Sequence, residues 1–205
     1  ETISYRKYHL IHHKHTETDL DPDKSLTDPF PVSKKSFSRK VLRDLTGISG
    51  LRRYFGYLYS AWGVNENTFF GHLKHFVSSL YGFLICQLII FSTLTFFNVP
   101  WLYLLLWWIP KLTIFSLFYR LRSISEHACT SGQNDFTNTR TTLSSSFVRY
   151  FIAPLNVNYH LEHHLFMFCP WYNLPKAHEM LKKKDFFKDL EIESSYFNVF
   201  KKVII

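Results

Sequence analysis

The sequence NVNYHLEHHLF, residues Asn156–Phe166, guides the interpretation of the whole chain. It places histidines at positions 160, 163 and 164, an i, i+3, i+4 spacing. On an α-helix, residues three and four apart lie on one face, so three imidazoles would be directed at one small volume. This spacing is typical of a metal site, and we predict that His160, His163 and His164 are metal ligands.

The same H-x-x-H-H pattern occurs near the start of the chain, at His9, His12 and His13 in YHLIHHKHT. Two copies in a chain with 11 histidines argue against a chance arrangement. Apolar residues separate the histidines, as expected for a helix with one ligand face and one packed face. We call the two H-x-x-H-H segments histidine boxes. A lone histidine, His127, follows Glu126 between these two boxes, and we predict that it is a further ligand. The alternative is a surface histidine paired with Glu126.

The composition favours a membrane protein. Of 205 residues, 46% are hydrophobic, and 21 Phe, 12 Tyr and 5 Trp make the chain heavily aromatic for a soluble domain. The net charge is +8, but the basic residues flank apolar segments, so we expect a membrane partner and no nucleic acid. The three cysteines are widely spaced and form no C-x-x-C pair, which argues against a disulfide framework and a thiolate zinc site.

A long apolar stretch follows the first third of the chain. Residues 75–110 contain no Asp, Glu, Lys or Arg. One membrane span needs about 20 residues, so the region predicts a transmembrane helical hairpin over residues 75–119, broken at Asn98-Val99-Pro100. Lys and Arg are concentrated outside both ends, which predicts that both ends, and both histidine boxes, are cytoplasmic. The alternative is a globular protein with two buried core helices.

Residues 16–40 predict an extended surface loop. Asp-Pro turns interrupt this segment, and a basic run follows them. Its acidic residues Asp19, Asp21 and Asp23 lack the glycine and the distal glutamate of an EF-hand. We therefore do not expect the loop to bind calcium.

Amphipathic helices are expected on both sides of the hairpin. Residues 41–76 mix aromatic and basic side chains in a way that is typical of helices in the headgroup layer. His72 and His75, at the end of this segment, are interpreted as polar surface residues. Residues 176–205 predict one or two amphipathic helices, on which His178 is expected at the surface.

The number of histidines implies two metal ions. Six or more imidazoles without a cysteine exceed what one tetrahedral zinc requires, and imidazole also suits iron and copper. Four polar residues are candidates for orienting the imidazoles through their other ring nitrogens: Glu126, Asn156, Asn158 and Glu162. Helix caps and solvent-facing polar residues are the alternative interpretation. A cytoplasmic ion pair beside a membrane hairpin favours chemistry on a lipid substrate with dioxygen.

Several features of the chain together resemble the membrane fatty acid desaturase superfamily: the boxes HLIHH and HLEHH, the intervening EH pair, the apolar hairpin and the phrase NVNYHLEHHLF. TNTRTT and PWYNLP further resemble bacterial members of the rhizobitoxine-type desaturase subgroup. The resemblance implies an all-α integral membrane protein, a transmembrane hairpin with a cytoplasmic helical cap that carries the histidine boxes. It also implies two iron ions, whose ligands are His9, His12, His13, His127, His160, His163 and His164.

The implied enzyme is oxygen-dependent and inserts a double bond into a fatty acyl chain or a related lipid. Its implied partners are a fatty acyl lipid or acyl carrier, dioxygen, the membrane, and an external electron donor, either ferredoxin or cytochrome b5. Lipid or carotenoid hydroxylases and ketolases of the same superfamily use the same boxes and are the nearest alternative. A non-catalytic membrane metal-binding protein is the alternative of another class, although transport would place polar ligands within the spans.

Two features depart from the family pattern. The family's first histidine box and first hairpin precede the second box, and nothing here replaces them, so we expect the chain to be a fragment that lacks the N-terminal part. We assign residues 1–205 to the C-terminal portion of a single desaturase domain. Within it, 1–74 carry the second box, loop and interfacial helices, 75–119 the hairpin, and 120–205 the third box and tail. Met167 stands where relatives often have proline.

Overall fold

The computed structural model describes residues 2–63, 65–132, 136–188 and 190–205. Across these residues the chain is mostly helical, and it divides into two compact units. Among the described residues, the hairpin unit comprises residues 2–8 and 40–117, and the histidine unit comprises residues 9–39 and 118–205. Residues 133–135, between His127 and the third box, lie outside the described residues.

Helices account for nearly all of the regular structure in the described residues. The α-helices are α1 (Thr2–His15), α2 (Lys24–Thr27), α3 (Lys34–Leu45), α4 (Ile48–Ala61), α5 (Phe69–Phe96), α6 (Ile109–Leu112), α7 (Ile114–His127), α8 (Ser146–Ile152), α9 (His160–Leu165), α10 (Leu174–Lys182) and α11 (Tyr196–Val203). A π-helical segment covers Tyr103–Trp108, and 3₁₀ turns cover Pro154–Asn156 and Trp171–Asn173. Two short strands, β1 (Thr141–Thr142) and β2 (Ile192–Glu193), pair in parallel.

The described residues include two helical stretches that are long and apolar enough to cross a membrane. The first is α5, with 28 residues, and the second runs for 25 residues from Tyr103 to His127. The Thr68 hydroxyl caps α5 by accepting from the Gly71 N–H, and Asn98 turns the chain between the stretches with φ of 58°. In the most apolar 18-residue part of each stretch, only 11% of the residues are buried in the first stretch and 6% in the second. The predicted apolar hairpin is therefore confirmed, and the globular alternative is wrong.

A close helix crossing in the hairpin unit depends on Gly50. A Cβ atom added to Gly50 in α4 would lie 2.2 Å from the backbone carbonyl oxygen of Leu112, at the end of α6. Glycine to alanine normally stabilises a helix by about 1 kcal/mol, because alanine loses less backbone entropy. We expect Gly50→Ala to do the reverse and to destabilise the protein by about 1–3 kcal/mol, measured by unfolding in detergent.

The matched control is Gly56→Ala, on the same helix. An added Cβ at Gly56 meets no atom within 4 Å among the described residues, so this substitution is expected to stabilise the protein slightly. Equal effects of the two alanine substitutions would show that the crossing does not depend on Gly50.

The core of the histidine unit joins its two sequence segments. Phe30 and Val32 pack with Ile124 of α7 and with Val199 and Val203 of α11. The backbone N–H of Val32 also donates to the Val203 carbonyl over 2.9 Å. Part of the segment from residue 16 to residue 40 is thus core, and it contains two helical regions. The prediction of an extended surface loop is wrong there, because its apolar residues pair with the C-terminal helix.

The segment before the third box is a buried connection. The backbone N–H of Arg140 donates to the Glu126 carbonyl at 2.8 Å, and its buried guanidinium donates to the carbonyls of Ala128 and Cys129. Two residues later, the Thr142 N–H donates to the Asn158 carbonyl at 3.0 Å. This segment therefore ties the end of α7 to the chain that enters α9.

Candidate metal centre

Three helices carry the predicted ligands. The second box lies in the last two turns of α1, the third box begins α9, and His127 is the last residue of α7. All seven of these histidines belong to the histidine unit. The fold thus brings together residues that are up to 155 positions apart in the sequence.

The seven imidazoles form two groups that mix the boxes. Within each group, the candidate ligand atoms lie within 4.8 Å of one another. The four-histidine group contains His12, His127, His160 and His164. The three-histidine group contains His9, His13 and His163. The ring centroids of His13 and His164, one from each group, are 4.2 Å apart, so the groups adjoin.

The nitrogen spacing in the three-histidine group fits a shared cation. The Nε2 atoms of His9 and His13 are 3.1 Å apart, and His163 Nε2 lies 3.1 Å from the first and 3.0 Å from the second. Two nitrogens that bind one ion at right angles, each about 2.1 Å away, would be about 3.0 Å apart. The three imidazoles therefore have the spacing of adjacent ligands on one coordination sphere.

The four-histidine group directs lone pairs inward. His127 uses its Nδ1–H to donate to the Asn138 carbonyl at 3.0 Å, so its Nε2 carries the lone pair. That Nε2 lies 2.8 Å from His160 Nε2, which is in turn 3.1 Å from His164 Nε2. A cation among these nitrogens would satisfy several lone pairs at once. The donor set contains only imidazoles, which suits iron, copper or zinc.

Burial keeps most of these imidazoles neutral. Burial, reinforced by the charges of neighbouring histidines, lowers the pKa of His9 to about 4 and that of His13 to about 3. It also lowers the pKa of His163 to about 4, with Arg122 as the next cause. The same two effects, burial first, hold the pKa of His160 and of His164 well below the ordinary value. A neutral imidazole is the form that binds a metal ion, so the groups are prepared for one at neutral pH.

His12 is the exception, because a carboxylate orients it. Its Nδ1 lies 2.9 Å from Asp21 Oδ1, and both side chains are buried. Burial alone would lower the pKa of His12, but the hydrogen bond and the charge of Asp21 raise it. Burial likewise opposes ionisation of Asp21, yet its bonds with His12 and with the backbone N–H groups of Glu17 and Asp23 lower its pKa. Asp21 is the orienting residue that the sequence interpretation missed.

We expect Asp21→Asn to weaken metal binding by about 10–100-fold. An amide cannot supply the charge that fixes the tautomer of His12 and increases the basicity of its other nitrogen. The measurement is a Co²⁺ titration of the purified protein. Asp19→Asn is the matched control, because the Asp19 carboxylate is exposed and pairs with Lys24 at 2.6 Å. Equal affinities for the two variants would contradict this role of Asp21.

The four predicted orienting residues have different partners in the structure. Glu126 Oε1 lies 3.7 Å from His160 Nδ1 and 3.0 Å from Arg122 Nε, so it is close to a candidate ligand. The Asn158 amide donates to the Thr142 carbonyl at 3.2 Å. The remaining two also bond elsewhere: Asn156 donates to the Trp171 carbonyl, and Glu162 bonds with His178 and Thr141. The side chains of Asn156, Asn158 and Glu162 therefore bond to backbone and side-chain groups outside the two histidine groups.

The histidines expected outside the centre do lie outside the two groups, but one of them is buried. His72 and His75 bond through Nδ1 to the carbonyls of Trp62 and Ala61 in the hairpin unit. His15, which follows the second box, also lies outside the two groups and is half-buried. The side chain of His178 is buried against Glu162. The prediction of a surface position for His178 is wrong. It shares the apolar face of α10 with Leu174, four residues earlier, a helical spacing that is visible in the sequence.

These features describe a mostly helical protein with two helices long and apolar enough to cross a membrane and with histidine groups able to bind metal. A model of the fatty acid desaturase family matches residues 2–192. The chain therefore belongs to the fatty acid desaturase family, whose members are oxidoreductases. Comparison with curated proteins and with solved structures gives no significant match.

Proposed function

We propose that this protein is an oxygen-dependent di-iron desaturase that introduces a double bond into a fatty acyl chain or a related lipid. The observation that carries the proposal is the division of seven converging imidazoles into adjoining groups of four and three. In the fatty acid desaturase family, histidine boxes typically hold two irons. The rhizobitoxine-type subgroup remains a prediction from TNTRTT and PWYNLP.

The chain's own residues would hold and orient the two ions. The four-histidine group would bind one iron and the three-histidine group the other. When bound, the iron pair supplies the oxygen-derived oxidising power that removes hydrogen from two neighbouring carbons. Asp21 and the Asn138 carbonyl fix His12 and His127 through their Nδ1 atoms, so both rings keep one orientation. Burial of His12, His127 and His160 keeps bulk water from competing for those nitrogens.

A cavity of about 610 Å³ in the histidine unit supports a lipid substrate. His13, His164 and Lys14 contribute to its wall, and the remaining lining is largely apolar: Leu10, Leu165, Phe166, Met167, Phe168 and Cys169. An open, largely apolar pocket beside the candidate ligands offers a surface on which a bound hydrocarbon chain would bury apolar area. The overall reaction would consume dioxygen, two electrons and two protons, and would release the alkene and two waters. The electrons would come from ferredoxin or cytochrome b5.

We further propose that the metal centre is cytoplasmic and that residues 1–205 belong to one desaturase domain. Lys and Arg flank the apolar hairpin on both sides, as the positive-inside rule requires for cytoplasmic ends. The proposed parts are residues 1–74 with the second box, 75–119 with the hairpin, and 120–205 with the third box and tail.

The test is product analysis after expression of the intact gene in a lipid-producing host. A desaturase gives a new unsaturated chain, detected by mass two units below the saturated parent. Hydroxylated or keto products alone would assign the protein to the hydroxylases and ketolases. Inactivation by removing iron, and recovery on adding it back, would link the product to the metal centre.

A further inference from the structure

Glu162 is a buried carboxylate in the middle of the third box. Its side chain is fully buried, and it follows His160 by two residues in α9. Successive helical residues are rotated by about 100°, so a residue two positions on faces nearly away from the first. A buried carboxylate is costly unless its oxygens are paired. The partners of Glu162 therefore contact α9 on the face opposite to His160.

The two oxygens of Glu162 have separate partners. His178 Nδ1 lies 2.5 Å from Oε1, and the Thr141 hydroxyl donates to Oε2. The His178 ring is itself fixed, because it stacks on Phe187 with centroids 4.7 Å apart. On another side it meets the ring of Tyr159, the residue directly before α9, at 5.3 Å.

Thr141 connects this pair to the rest of the centre. It lies in β1, three residues after Asn138, whose carbonyl accepts from His127 Nδ1. It also forms a backbone bridge with Tyr159. The short segment from 138 to 142 thus fixes His127 at one end and, through Glu162, the box helix at the other.

We propose that His178 is a positioning residue of the metal centre and acts through Glu162. The buried chain His178–Glu162–Thr141 fixes the rotation of α9, and with it the direction of the three imidazoles on its other faces. The inference rests on the proposed function, because it requires that the box histidines hold metal. None of the three residues belongs to the two histidine groups.

The test compares His178→Leu with His178→Asn in the purified protein. Leucine removes the donor to Glu162, whereas the asparagine side-chain nitrogen occupies nearly the place of Nδ1 and restores it. Co²⁺ titration should show affinity about 10–100-fold weaker in His178→Leu, with a changed visible spectrum of the bound Co²⁺. His178→Asn should recover most of the affinity and the original spectrum. Val203→Ala, a core substitution in α11, controls for general destabilisation.

The outcomes separate this inference from the proposed function. Unchanged Co²⁺ affinity and spectrum in His178→Leu, or the same loss in Val203→Ala, would overturn the positioning role alone. Failure of the unsubstituted protein to bind Co²⁺ would overturn the proposed function, and this inference with it. If His178→Leu does not fold, Thr141→Val decides, because it removes only the second donor to Glu162. It is expected to weaken binding several-fold, and unchanged binding would overturn the proposal.

Discussion

Replacing His127 with alanine is expected to lower bound iron below about two ions per chain, by weakening the four-histidine group, and to abolish product formation. His127 is buried in the four-histidine group, its Nδ1–H donates to the Asn138 carbonyl, and its Nε2 lies 2.8 Å from His160 Nε2. Alanine leaves a buried gap that no neighbouring imidazole can fill, because each is already held on its own helix. The measurements are iron content and the yield of unsaturated product.

His72→Ala is the control for this substitution. His72 lies in the hairpin unit, where its Nδ1 bonds to the Trp62 carbonyl at 2.9 Å and its ring stacks on the Trp62 ring. We expect His72→Ala to keep its iron and its product. Membrane insertion should be normal in both variants. A His127→Ala protein with full iron and normal product would show that His127 is not a ligand.

Replacing His163 with alanine is expected to remove the other ion selectively. The three-histidine group would keep only His9 and His13, and two imidazoles hold an ion far less tightly than three. The four-histidine group gains or loses no member, so it should keep its ion. A Co²⁺ titration of His163→Ala should therefore show one tight site where the unsubstituted protein shows two, and turnover should be lost.

The same Co²⁺ titration shows which histidines share one ion. If His127→Ala weakens one site and His163→Ala removes the other, the double variant should show both changes. Loss of both sites in each single variant would contradict two separable groups and indicate one cooperative site. Retention of two tight sites in His163→Ala would exclude this residue from the ligand set.

The sequence was most informative where local geometry determines the outcome. The i, i+3, i+4 spacing on a helix defines one face, so the two boxes and their helices could be predicted. The apolar run and its break near Pro100 likewise predicted the hairpin, because span length and turn composition are local properties. Which imidazoles share a group is different. His12 joins residues of the third box, while its neighbour His13 joins the other group, and only the crossing of the helices determines this.

The residues that the sequence interpretation missed depend on tertiary contacts. Asp21 lies in an Asp-Pro turn, a local pattern that predicts an exposed loop, yet packing of the following apolar residues buries it beside His12. The Asn138 carbonyl is a backbone group, and composition carries no signal for it. His178 did leave a signal on the apolar face of α10. Its partner Glu162 could be identified only once α9 and α10 were seen together.

Metal analysis of the purified protein tests the central claim most directly. We predict about two iron ions per chain, with Mössbauer spectra of two high-spin sites that have nitrogen ligands. The sites should also be reoxidised by dioxygen. A preparation that contains zinc alone and consumes no dioxygen would contradict the di-iron assignment and support a metal-binding protein without catalytic activity.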